Sequence, residues 1–387
     1  MRRYLFEVKN FFHKGDLILL FLCLLTSAFG CIIISSATNP IGFSRYLTVQ
    51  IVAICLGVLF YILMSAVDVD SLSEHRSILV GFNTFLLLLL IPFGTGSNLG
   101  NRSWLDLPLL PVDIQPAEIC KIAYILIMAS VMSSHQNRIS SVGSVIHMAF
   151  HLAFLFGLNM VLSSDLGVSL IYIFIFLGMA FAGGVSLFWF LLGGGALVAA
   201  APVLWNEFMD DYQKERIQML FDDKIDPEGL GVRWHTNLSM QYIQNGGVAG
   251  QGLYNGTMVQ GRAMPAQHTD FIFSSIAEEL GMLGCIFVLL LLASIVIRCI
   301  YVGVKSGNYM NRIICIGIAG MLLFQIVVNV GMCVGMFPVI GLTLPFISYG
   351  GSSIVTMFMA MGVVSGIHMR PAPDANARYI RPKNSTY

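Results

Sequence analysis

The sequence predicts an all-α polytopic membrane protein of about ten transmembrane helices, with both termini cytoplasmic and one large extracytoplasmic loop between helices 7 and 8. Three observations carry that reading. Of the 387 residues, 56% are hydrophobic and only 11% are charged, against about 25% charged in a typical soluble domain. The apolar residues come in blocks long enough to cross a bilayer, which takes roughly 20 residues of helix. Lys and Arg gather in the two tails and in one set of loops, as the positive-inside rule requires of cytoplasmic segments.

Taken in order, the first span is read at 17–36, behind a tail carrying Arg2, Arg3, Lys9 and Lys14. Its small-x-small stretch Ala28-Phe29-Gly30 is followed by more apolar residues, so it reads as a retained helix and not as a cleaved signal peptide. The other spans are read at 46–64, 78–93, 117–132, 146–162, 167–182, 186–205, 271–301, 313–336 and 346–368. An even count puts both ends on one side. The C-terminal tail carries Arg370, Arg378, Arg381 and Lys383, and the count places Arg76, Arg138, Lys305 and Arg312 on that side too. The whole chain, 1–387, reads as one transmembrane domain with its extracytoplasmic loop at 206–270.

Composition excludes several functions. Formal net charge is zero, which gives no reason to expect a nucleic-acid partner. The eight cysteines lie in or beside apolar blocks with no CxxC spacing, so neither a disulfide frame nor a zinc site is indicated. Loops on the far side are short except 94–116 and 206–270. The second is far longer than an ordinary connection, and such loops are usually functional. Its stretch 210–223 is polar enough for a surface or interfacial helix. Its stretch 245–261 is glycine-rich, and 246–256 within it reads either as a mobile loop or as a lid whose backbone approaches sugar or phosphate.

A charge in a membrane helix costs several kcal/mol unless it faces protein, water or a partner. Four places therefore stand out. Glu118 and Lys121, behind Gln115-Pro116, share one helix face and read either as an internal ion pair or as a cation offered to an anionic head group. Asp165, after Ser163-Ser164, reads as a helix N-cap or as part of a site. Arg102 and Trp104 in the first large loop read as an interface anchor or as a phosphate ligand, for which the guanidinium fork is suited. His268-Thr269-Asp270 leads into the eighth span, with Glu278 and Glu279 deeper. Asp270 reads as a cap or as a general base at the membrane–water boundary. Spacing carries the reading to a site for an anionic, lipid-linked molecule and no further.

Five blocks, NRSWLDLPLLPVDIQPAEICKIA, SSDLG, GGVAGQGLYNGT, HTDFIFSSIAEELGMLG and GLTLPFISYGGSS, resemble the SEDS family (shape, elongation, division and sporulation) of bacterial peptidoglycan polymerases, which includes RodA and FtsW. The likeness runs from the first span to the last. HTDFIF followed by AEELG, and VNVGM before the last block, look closer to the RodA branch, which implies a role in cell elongation, with an FtsW-like role in division or sporulation as the alternative. The resemblance implies inverting glycosyl transfer on lipid II, with Asp270 as the catalytic residue and Arg102, Trp104, Lys121, Asp165, His268, Glu278 and Glu279 binding substrate. It implies no certain cofactor, leaving room for a divalent cation such as Mg or Mn. It also implies a class B penicillin-binding protein and other elongation or division proteins as partners in the bacterial cytoplasmic membrane. The chain departs from the family pattern at Ser163, Ser164, Ala266, Gln267 and across 232–239. A lipid II transporter and a scaffold are the rival readings, although no internal repeat of the transporter kind is visible.

Overall fold

The computed structural model describes residues 11–41, 43–96, 102–105 and 114–370. Arg2, Arg3, Lys9, Asn101, Arg378, Arg381 and Lys383, on which parts of the reading above rest, lie outside the described residues. Among the described residues, ten helices are long and apolar enough to cross a membrane: α1 (Leu17–Ala37), α2 (Arg45–Ser65), α3 (Arg76–Phe93), α4 (Pro116–Ser134), α5 (Val142–Ser163), α6 (Leu166–Gly183), α7 (Leu187–Glu207), α8 (Ile272–Lys305), α9 (Tyr309–Cys333) and α10 (Gly351–Met369). All ten expected spans are present.

Helices α4, α9 and α10 form the centre of the bundle, where most of their residues are buried. Helix α10 packs on α2, and α9 packs between α8 and α6. Helix α7 has no buried residue at all. Helix starts are set by ordinary chemistry: Pro116 occupies the first turn of α4, and the side chains of Asp16, Ser141, Asp165 and Asn308 accept backbone N–H groups at the starts of α1, α5, α6 and α9. Asp16 is also gripped by the Arg298 guanidinium of α8, at 2.9 and 3.0 Å. That bidentate pair ties the first helix to the eighth at the end of the bundle opposite the long loop.

The structure departs from the hydropathy reading in three places. The eighth span is two helices that meet at Gly281, whose φ of 67° and ψ of −165° are not helical. The tenth begins at Gly351 and not at 346, because Leu344, Pro345 and Phe346 belong to an irregular segment tied by Leu344 N–H to Ser348 Oγ at 2.8 Å. The ninth ends at Cys333. The long loop is itself structured. The polar stretch does form a helix, Asp211–Gln218, shorter than expected, and a further helix, Trp234–Gly246, packs along α8. Hydropathy could not show the latter, since its apolar residues are too few for a span.

The glycine-rich stretch is held backbone to backbone on the first part of α8. Gln251 and Gly252 donate their N–H groups to the carbonyls of Glu278 and Glu279 at 2.9 Å each, and Met282 N–H returns a bond to Gly247 O at 2.9 Å. A Cβ at Gly281 would meet Gly250 N at 2.4 Å and Val248 O at 2.5 Å. Gly281→Ala is therefore expected to lower stability by more than the roughly 1–3 kcal/mol of a strained backbone alone, because the loop must also move. Thermal denaturation in detergent measures it, and an unchanged midpoint would contradict the packing described.

Candidate active site

The site is built on the three residues His268, Thr269 and Asp270, just before α8. Each of their backbone carbonyls accepts a hydrogen bond from elsewhere in the chain. Tyr349 N–H donates to His268 O at 2.9 Å, Ser348 Oγ to Thr269 O at 2.7 Å, and Asn329 Nδ2 to Asp270 O at 2.8 Å. The segment between α9 and α10, together with Asn329 of α9, thus clasps the catalytic candidate by its main chain. A Cβ on Gly341 in that segment would lie 3.8 Å from Asp270 Oδ2, so the carboxylate is turned toward a glycine.

Asp270 keeps part of its surface open. The protein packed around it disfavours the charged form and pushes the carboxyl up to about 6, and the negative charge of Asp165 adds to the effect. Asp165 is raised as well, chiefly by burial and then by Glu118, against the opposing Val168 N–H. Its Oδ1 accepts Val168 N–H at 3.0 Å and its Oδ2 accepts Gln115 Nε2 at 3.2 Å. It is therefore both the cap of α6 and a partner of the start of α4.

A groove of about 710 Å³ runs from Ser164, Asp165 and Gly167 down between α6 and α9. One end is polar, with Asp165, Asp210, Gln213 and Arg216; the other is apolar, floored by Phe174 and Phe324, whose rings stack 3.8 Å apart. Arg216, on the helix Asp211–Gln218, is fixed by donating to Val339 O at 2.7 Å and Tyr212 Oη at 2.6 Å. Its guanidinium also sits 4.3 Å from the centre of the Tyr212 ring. An amphipathic groove with a cation and a carboxylate at its mouth suits a lipid that carries an anionic head. Arg216 was missed in the sequence, where nothing but the polarity of its helix marked it.

The other expected site residues fall into three groups. Trp104 pairs by backbone with Thr95 in an antiparallel ladder of two residues per strand. Between it and the exposed Arg102, Ser103 Oγ donates to Ser163 O at 3.2 Å, which places Ser103 beside the Asp165 turn. Lys121 is fully buried and bonded to Glu118 Oε1 at 2.7 Å, and Thr356 Oγ1 donates to Glu118 Oε2 at 3.3 Å. The ion-pair reading of these two residues is the one the geometry shows.

Glu278 and Glu279 are buried and turned to the glycine-rich stretch. Glu278 accepts Met258 N–H at 3.0 Å and Val259 N–H at 2.8 Å, and Glu279 accepts Ser36 Oγ at 2.6 Å and Tyr254 N–H at 3.1 Å. They hold this stretch against α8 and α1, and none of these contacts faces the groove. His268 packs edge-on to Tyr46, ring centres 5.1 Å apart, and burial lowers its pKa so that the neutral ring is favoured.

The departures from the family pattern are accommodated in place. Ser163 Oγ accepts Asp165 N–H at 3.2 Å, and Ser164 takes the left-handed turn, φ 54°. Gln267 donates to Ala37 O at 2.7 Å and Val259 O at 2.9 Å and accepts Tyr242 Oη at 2.8 Å, which knots three elements behind the site. Among the described residues no group of three or more His, Cys, Asp or Glu side chains could hold a metal ion. A site of one or two carboxylates completed by substrate phosphates remains compatible with Mg.

A general base must be ionised, so activity is expected to rise with pH through about 6 and to fall below it. Asp165→Asn removes the like charge, lowers the Asp270 pKa, and should move that acid limb to lower pH while an Asn cap keeps α6 in place. The pH–rate profile of the variant checks this; an unmoved limb would mean the two carboxylates do not sense each other.

The FtsW/RodA/SpoVE model, described as cell cycle protein, matches residues 16–372. Peptidoglycan glycosyltransferase MrdB of Escherichia coli K12 is 32% identical over 360 residues, covering 92% of this chain and 94% of that protein. A probable peptidoglycan glycosyltransferase FtsW of Trichlorobacter lovleyi is 30% identical, covering 94% and 96%. Among solved structures, a chain from a peptidoglycan synthase complex that coordinates polymerization and crosslinking superposes with a TM-score of 0.78 at 29% identity, covering 95% of this chain and 99% of that one. The rod shape determining protein RodA of Thermus thermophilus superposes at 0.69 with 28% identity, covering 93% and 98%.

Proposed function

The chain belongs to the FtsW/RodA/SpoVE family of cell cycle proteins and is a multi-pass membrane peptidoglycan glycosyltransferase; we propose that it moves the growing glycan strand from its undecaprenyl-pyrophosphate carrier to the 4-hydroxyl of lipid II, with Asp270 as base. The observation that carries this is a carboxylate raised to about 6 by burial and by the charge of Asp165, which itself lines the mouth of an amphipathic groove. The 4-hydroxyl oxygen attacks the anomeric carbon of the donor MurNAc as the bond to pyrophosphate breaks. The hydroxyl proton passes to Asp270, and undecaprenyl pyrophosphate leaves. One displacement inverts the anomeric centre from α to β, so no covalent enzyme intermediate is needed.

The groove suits the prenyl chain, and Arg216 at its polar end is placed to meet the pyrophosphate, with Arg102, next to Ser103 at the Asp165 turn, as a second cation. A divalent cation, Mg or Mn, would be held by Asp165 and would neutralise charge on the leaving group. Charge counting puts both termini in the cytoplasm and the site on the outer face of the cytoplasmic membrane, where lipid II is consumed. The RodA-like motifs favour elongation over division, and a class B penicillin-binding protein is the expected cross-linking partner, in keeping with the polymerization–crosslinking complex to which the fold is similar.

Purified protein with its penicillin-binding partner should convert labelled lipid II into glycan polymer. Translocation of lipid II across vesicles without polymer would overturn the reading in favour of a carrier. Absence of both, with the partner present, would favour a scaffold.

A further inference from the structure

We infer that Asn329 is a positioning residue for the catalytic base, an assignment that rests on Asp270 being that base. Asn329 lies on α9 and is fully buried. Its Nδ2 donates to two carbonyls at once, Asp270 O at 2.8 Å and Leu342 O at 2.6 Å. Its Oδ1 is buried with no hydrogen-bond partner. A buried polar atom left unpaired is uncommon and costly, so the amide is not there to satisfy itself. It is oriented by what its NH₂ holds.

What it holds is the relation of the base to its surroundings. Leu342 follows Gly341, the residue toward which the Asp270 carboxylate is turned. Ile340, one residue earlier, lines the groove, and its carbonyl would lie 2.5 Å from a Cβ on Gly167 of α6. Asn329 therefore references both walls of the carboxylate to one rigid helix. The ties from Ser348 to Thr269 and from Tyr349 to His268 join the same two segments to each other but not to α9. Cys333 of α9 also reaches Asp270 O, through Sγ at 3.9 Å, but Asn329 holds Asp270 O and Leu342 O together; without it the two segments stay joined to each other and can shift together relative to the groove, which misplaces the base.

Misplacement by about 1 Å is enough to cost about 10²-fold in rate. Asn329→Leu, which keeps the bulk and loses both donors, is expected to be purified in folded form with a lowered thermal midpoint, since the carbonyls of Asp270 and Leu342 each lose a donor. It should show kcat for lipid II polymerisation reduced about 10²-fold, with KM changed little. Asn329→Ser, smaller and retaining one donor, should fall between the two and serves if the Leu variant does not fold. Wild-type kcat in folded Asn329→Leu would overturn the assignment, as would a loss confined to KM. A failure of both variants to fold would also overturn it, by making Asn329 a stability residue. Asp270→Asn is assayed alongside. If it polymerises normally the base itself is misassigned, whereas an inactive Asp270→Asn with an active Asn329→Leu removes only the present inference.

Discussion

Asp270→Asn protein is expected to fold and to bind lipid II but to polymerise it about 10²–10⁴-fold more slowly, the usual worth of a general base. Three features of the site make that expectation specific. The backbone of residues 268–270 is held at each carbonyl by groups from 329–349, so the substitution leaves the main-chain lattice unchanged. None of the hydrogen bonds that fix the segment uses the Asp270 carboxylate, so an amide of the same shape should not unfold it. The same carboxylate, ionised near neutral pH and turned toward Gly341, is free to take a proton. Single-turnover assays with labelled lipid II separate the chemical step from binding. Glycan synthesis by the Asn variant at the wild-type rate would remove Asp270 from the mechanism.

Lys121→Ala should act on folding before it acts on catalysis. The ammonium is fully buried and 2.7 Å from Glu118, so deleting it strands a carboxylate inside the bundle. Breaking a buried ion pair from one side costs about 3–5 kcal/mol, a large part of the net stability of a domain. Removing both charges together is far milder, because no unpaired ion is left behind. The double variant Glu118→Gln/Lys121→Met is therefore expected to recover most of the folded yield that Lys121→Ala loses. Detergent thermal shifts on the single and double variants measure the difference. A well-folded Lys121→Ala with only a raised KM would instead restore the lysine as a ligand for the anionic head group.

That contrast shows where reading the chain stopped. Glu118 and Lys121 are three residues apart, so their shared helix face was legible, but not whether the pair looked inward to each other or outward to a ligand. Glu278 and Glu279 beside the HTD motif looked like further site carboxylates. Their actual partners, Met258, Val259, Tyr254 and Ser36, belong to a loop and a helix whose folding back no local pattern encodes. Nothing local in the block GLTLPFISYGGSS shows what it holds; its Ser348 and Tyr349 take the carbonyls of Thr269 and His268, while that of Asp270 is held from α9.

The ten spans, the long loop and the candidacy of Asp270 were all available from the chain itself, because hydropathy and charge act over one helix length or less. Only packing decided which charges share the groove. Arg216 and Asp165 are 51 positions apart yet line one cavity. Asn329 reaches Asp270 across 59 positions, and Gln267 reaches Ala37 across 230. Contacts of that range have no period and no composition in the sequence. They arise because helices of known length must bury their polar groups against one another, and the choice of partner is made by the whole bundle at once.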